Sequence, residues 1–128
     1  MSTESAVQPE ATVLLRHGTT RQRAERILQT GPDPQFLEPG AVRTREKFGF
    51  SMARIKETYD LGGPEAYARS KAQNFPQEGG PALMEVEVPN SIVMLGIRSA
   101  HEEVRFETGR GLHELMQAWP RLTKRIIS

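Results

Sequence analysis

The 128-residue sequence contains no cysteine. That excludes a disulfide framework, thiolate metal ligation and a cysteine nucleophile. Neither charge is in excess: 17 Lys and Arg stand against 16 Asp and Glu, for a net charge of +1. Such a balance lacks the overall basic surplus of a nucleic-acid-binding protein. Local crowding remains, with Arg16, Arg21, Arg23 and Arg26 in one segment and Arg43, Arg45, Lys47 and Arg54 in another. No apolar run approaches the roughly 20 residues of a membrane span, and the first residues lack the basic and apolar blocks of a signal peptide. A soluble, cytoplasmic chain without a membrane partner is therefore expected. Metal-ligand clusters, phosphate-binding glycine loops and nucleophile motifs are also missing, so no metal site is expected.

What is present fits one domain. A chain of this length can bury most of its apolar surface and fold without staples. Residues 1–10 read as a disordered lead-in and residues 11–128 as a single domain. Residues 12–16 alternate weakly, are rich in apolar side chains and read as a strand. It delivers His17, Gly18 and Thr19 to the start of a helix that Thr19 or Thr20 caps through its hydroxyl. Ala24, Ile27 and Leu28 form that helix's apolar stripe. Gly31 suits the residue just past its end, and Pro32 forbids continuation. Residues 29–47 read as a long loop with room for one irregular strand, and loops of that length are functional or mobile.

Further along, Phe48-Gly49-Phe50-Ser51-Met52 reads as a short strand. Gly62-Gly63-Pro64 turns into a helix over 65–75, which Pro76 stops. Ala82 to Val88 is the clearest strand: Met84, Val86 and Val88 face one way, Leu83, Glu85 and Glu87 the other. Glu85 and Glu87 are expected on its wet face. Ile92 to Leu95 reads as a second apolar strand and Glu103 to Phe106 as a third. Leu112, Leu115, Met116 and Trp119 give an amphipathic helix, and Lys124 to Ile127 a closing strand. The class is α+β with a mainly antiparallel sheet.

A strand that ends in His-Gly-Thr and enters a capped helix suits an anionic ligand, because a helix N-terminus offers free N–H groups. Two readings stand for each candidate. His17 is a ligand contact or a satisfied histidine at a strand end, and Gly18 marks a close backbone approach or a turn. Phe48 and Phe50 are core residues or a stacking platform. Tyr67 packs its helix or lines a cleft. Glu103 is a reactive carboxylate or a solvated strand residue.

His17-Gly18-Thr19, the segment Phe48-Gly49-Phe50-Ser51 with the Ala66-Tyr67-Ala68 helix behind it, and a late glutamate in His101-Glu102-Glu103-Val104-Arg105-Phe106 together resemble the ADP-ribosyltransferase fold superfamily. The likeness is to a divergent member of its diphtheria-toxin-like and poly(ADP-ribose)-polymerase-like branch, over roughly residues 12–106. The resemblance implies an ADP-ribosyltransferase-like α+β fold: split antiparallel β-sheets with flanking short helices, gripping NAD as a substrate in a cleft. It also implies roles. His17 would hydrogen-bond the adenosine ribose. Gly18 would present its backbone N–H and C=O to the nicotinamide carboxamide, which needs a residue without a Cβ. Thr19 would support the histidine or the ribose, and Arg16 or another early arginine would hold the pyrophosphate. Phe50 and Ser51, the aromatic-plus-hydroxyl segment, would belong to the cofactor site, the ring stacking on the nicotinamide.

Glu103, with Glu102 as its alternative, would be the catalytic carboxylate that stabilises an oxocarbenium-like state. The family's usual tyrosine is a phenylalanine here, which stacks but donates no hydrogen bond. The implied activity is mono-ADP-ribosylation of an unspecified protein or nucleic-acid acceptor. RNA 2′-phosphotransfer, which shares the fold and consumes NAD, is a neighbouring reading. From a different class comes a non-catalytic module that binds NAD, another nucleotide or a protein partner. Oligomeric state is not readable from the sequence.

Overall fold

The structure, a computed structural model, describes residues 10–32, 38–39, 48–55, 62–98 and 103–127. Its elements are β1 (Thr12–Thr20), α1 (Arg21–Thr30), β2 (Glu38–Pro39), β3 (Phe48–Arg54), α2 (Gly63–Asn74), β4 (Pro81–Pro89), α3 (Asn90–Val93), β5 (Ile97–Arg98), β6 (Glu103–Glu107), α4 (Arg110–Ala118) and β7 (Lys124–Ile126), with single 3-10 turns at Pro76–Glu78 and Trp119–Arg121. Among the described residues the strands form one antiparallel sheet in the order β5-β6-β3-β1-β4-β7, and β2 lies beside β3. The fold is thus α+β, as the patterning implies, but the described strands lie in one sheet and not in the split pair of sheets that the resemblance implies.

β1 runs on through His17, Gly18 and Thr19 and ends only at Thr20, four residues beyond the apolar run. Pairing with β4 carries it that far: the register runs unbroken from Thr12↔Pro89 to Thr20↔Pro81. Thr20 then caps α1, its Oγ1 accepting from the Arg23 N–H at 3.3 Å. Gly31 closes the helix at φ 80°, where a side chain would be strained.

The two faces of the sheet differ. Leu15, Met84, Val86, Val88, Phe50, Met52, Val104 and Phe106 form a buried layer that packs against Ala24 of α1, Val93 of α3, Leu112 and Leu115 of α4, and Trp119. Burying an aliphatic side chain of this size is worth about 1.5–3 kcal/mol, so this face holds the fold together. The opposite face carries Arg16, Gly18, Ser51, Glu85, Glu103 and Arg105 by strand alternation, and α2 lies across it on β1 and β4.

Three expectations are corrected. Ile92 to Leu95 is not a strand. Once β4 ends at Pro89, the Ser91 N–H bonds the Glu10 carboxylate at 2.7 Å, and the Met94 N–H closes a helical turn on the Asn90 carbonyl at 3.0 Å. A four-residue apolar run carries no period that distinguishes the two forms; the turn buries Val93 and leaves Met94 70% exposed. Glu85 is not on a wet face but is 5% exposed. Gln29 and Thr30 belong to α1 rather than to a loop. The lead-in over residues 1–9, most of the 33–47 segment, Tyr59, His101 and Glu102 lie outside the described residues.

Candidate functional site

The pairing of β1 is asymmetric. Against β3 its register covers only Leu15↔Arg54 and Arg16↔Ala53. On the β4 side, the Asn90 N–H bonds the Ala11 carbonyl and the Arg21 N–H bonds the Gly80 carbonyl, both at 2.9 Å. In an antiparallel strand, alternate residues direct both main-chain groups to the same edge. Odd-numbered residues of β1 therefore face β4, and the N–H and C=O of Arg16 and Gly18 face β3. Had the ladder continued, Gly18 would pair with Ser51. Among the described residues it stops at Arg16↔Ala53, two residue pairs short, and this end of the register is the opening between β1 and β3.

A side chain takes up one of the bonds given up at the opening. His17 Nδ1 lies 2.7 Å from the Ser51 carbonyl. A carbonyl only accepts, so Nδ1 carries a proton, and in the neutral ring Nε2 is an acceptor. The ring also stacks on Phe50, with centroids 4.3 Å apart and planes 29° apart. Phe50 in turn meets Trp119 edge-on at 6.2 Å. The histidine is thereby oriented by a hydrogen bond on one side and by core aromatics on the other. Phe50 itself is 3% exposed and acts as a support for His17 within the core rather than as an open platform for a nicotinamide.

The missing Cβ of Gly18 has a packing cause. A Cβ there would come within 2.0 Å of the Pro64 carbonyl oxygen and 3.1 Å of the Ala68 nitrogen. Glycine is required because the first turn of α2 rests on the strand. Gly18 is itself buried, and by strand alternation its N–H and C=O point to the β3 side.

On the α2 face, Arg16 does not point at an open anion site. Its Nε donates to Glu85 Oε2 at 2.9 Å, while Nη2 lies 2.8 Å from the same oxygen. Arg125 holds the other oxygen, through Nε at 3.1 Å and Nη2 at 2.8 Å. Hydrogen bonds from Arg125 and then from Arg16 hold the Glu85 carboxyl below its ordinary value, against the opposing effect of burial. Ser51 presents its hydroxyl on the same face, 3.4 Å from Arg105 Nη1. Glu103 is exposed and pairs with Ala53, which pairs with Arg16. Two strand spacings, roughly 10 Å, therefore separate the Arg16 and Glu103 backbones.

The sequence-predicted residues thus fall into two groups. Arg16, Gly18, Ser51 and Glu103 share the α2 face. His17, Thr19 and Phe50 project to the core face, with Thr19 buried. His17 and Glu103 are not brought together on one face; the sheet lies between their side chains, and Gly18 is where the two sides meet. Sequence reasoning missed Glu85 and Arg105 as members of this surface. Their signal was the alternation that puts Arg16 opposite Glu85 and Ser51 opposite Arg105. A further charged group forms at the start of α1: Glu78 Oε1 accepts from Thr20 Oγ1 and Arg23 Nε, each at 2.8 Å. The Arg23 bond is the main reason that the Glu78 carboxyl titrates below its usual range.

Among the described residues, no three His, Cys, Asp or Glu side chains gather as a metal site, and no helix is long and apolar enough to cross a membrane. No family model matches the chain, and neither the curated proteins nor the solved structures yield a match.

Proposed function

We propose that the chain is an NAD-dependent ADP-ribosyltransferase-like protein that takes the dinucleotide at the opening between β1 and β3. The observation that carries this reading is the end of the β1–β3 register just before Gly18, whose N–H and C=O point to the β3 side beside a histidine oriented through the Ser51 carbonyl. A peptide N–H and C=O on one edge match the C=O and NH2 of a carboxamide, donor to acceptor in both directions. In the reaction, the bond between nicotinamide nitrogen and ribose C1′ breaks, and its electron pair neutralises the pyridinium. A carboxylate stabilises the oxocarbenium-like sugar, and Glu103 is the assigned group. The acceptor nucleophile then bonds C1′ and loses its proton. Because NAD is an intracellular metabolite, this reading carries a cytoplasmic location with it.

One observation favours a second reading, a nucleotide-binding module without turnover: Glu103 and the His17 ring lie on opposite faces of the sheet. Calorimetric NAD binding, with nicotinamide release followed in the same sample, separates the two. The transferase reading expects binding and release in the wild type, and binding without release in Glu103→Gln. Binding without release in the wild type favours the module. Absence of binding at millimolar NAD removes both.

A further inference from the structure

With no cysteine in the chain, all of its sulfur chemistry falls to methionine. The four methionines among the described residues stand in different surroundings. Met52 and Met84 lie in the buried layer of the sheet, and Met116 of α4 packs against that layer with part of its surface open. Met94 is 70% exposed. It directly follows α3, and main-chain bonds alone fix the backbone around it. The N–H groups of Met94, Leu95 and Gly96 bond the carbonyls of Asn90, Ile92 and Val93, each at 3.0 Å. The Asn90 side-chain amide reaches the exposed sulfur, its Nδ2 donating to Sδ at 3.8 Å.

We infer that Met94 is a reversible oxidation site, at which hydrogen peroxide converts the thioether to a sulfoxide while the fold stays intact. In that step a sulfur lone pair attacks one peroxide oxygen, the S–O bond forms and the O–O bond breaks. The leaving hydroxide takes the proton that remains on the transferred oxygen and departs as water. Sulfur loses two electrons and the peroxide gains them. Access decides which sulfur reacts. Met94 meets the oxidant in the folded state, whereas Met52 and Met84 meet it only when the sheet opens. The surroundings also suit the product. A thioether is a weak acceptor, so the polar sulfoxide oxygen gives the Asn90 amide a better partner, and at this exposed position it stays in water. The same oxygen on Met52 or Met84 would bury a polar group in the core. A methionine sulfoxide reductase with a dithiol returns the thioether, the oxygen leaving as water and the dithiol becoming a disulfide.

The test treats the full chain with dilute hydrogen peroxide, quenches it at intervals and follows each methionine by peptide mass spectrometry. Thermal unfolding is measured on the same samples. The Met94 peptide is expected to gain one oxygen more than about tenfold faster than those of Met52 and Met84, because even ~1.4 kcal/mol of opening free energy holds the open form to a tenth. Met116 should fall between them. Protein oxidised at Met94 should keep the thermal midpoint of the untreated chain, and reductase treatment should restore the original mass of the Met94 peptide. In Met94→Leu the midpoint should be the same before and after the brief treatment. The inference is overturned if Met52, Met84 or Met116 oxidises as fast as Met94. It is also overturned if oxidation at Met94 lowers the midpoint while Met94→Leu is spared, or if the reductase leaves the oxygen in place.

Discussion

β1 meets β4 along its full nine residues but meets β3 over only two. The sealed edge gives stability: Leu15 faces Val86, both fully buried, and the same layer continues through Met84 and Val88. On the other edge the register with β3 ends before Gly18, and the His17 side chain meets the Ser51 carbonyl there. On the proposed reading one strand serves as scaffold on one side and as recognition edge on the other, and four predictions probe that division.

The largest effect is expected on the sealed side. Leu15→Ala should cost about 3 kcal/mol, through lost transfer energy and the cavity left behind. Denaturant unfolding reads this directly, and a loss well under 1 kcal/mol would mean that the core closes around the gap. Next comes Gly18→Ala. The new Cβ would meet the Pro64 carbonyl oxygen at 2.0 Å, so α2 must shift, at a cost of about 1–3 kcal/mol. With Gly18 as the recognition edge, the same change should also abolish NAD binding, whereas Leu15→Ala leaves binding intact at temperatures where the protein is folded. Equal losses of binding in the two variants would erase the distinction between the edges.

The third effect depends on pH. The Glu85 and Glu78 carboxyls titrate below their ordinary value of 4.5. Folding therefore favours their ionised forms. Their contribution is fully present above the unfolded-state value and is lost as pH falls through the lowered folded-state values. Stability should be flat from neutrality to about pH 5 and fall below that. Glu85→Gln should lower the plateau and make the acid limb shallower, as seen in thermal midpoints across pH. An unchanged limb would show that Arg16 and Arg125 add nothing in solution. The smallest effect on stability is expected for Glu103→Gln. As an exposed strand residue, it should move stability by less than about 0.5 kcal/mol, yet it should stop nicotinamide release. Release at the wild-type rate would show that the carboxylate lies elsewhere.

The sequence disclosed the parts of this architecture that rest on period and punctuation. Alternation over Met84, Val86 and Val88 placed the core face of β4. Gly31, Pro64 and Pro76 marked where helices begin and stop, for reasons of φ and missing N–H groups. The opening itself was not legible. It depends on where β3 leaves β1, which is a matter of strand register, and nothing in Ser51 announces that its carbonyl will take a histidine proton. Glu85 read as a surface residue because its two arginines come from strands far away in sequence. The four residues Ile92 to Leu95 were too short a run to reveal their helical turn. The choice of glycine at position 18, suggestive of a ligand in sequence, is explained in the structure by the helix resting on it.

The most direct test of the recognition edge is a titration of the isotope-labelled protein with NAD, followed through backbone amide resonances. The Gly18 amide is expected to move most, joined by His17 and Ser51, while Leu15 and Val86 on the sealed side stay still. Shifts confined to other regions, or none at millimolar NAD, would contradict a recognition edge at Gly18.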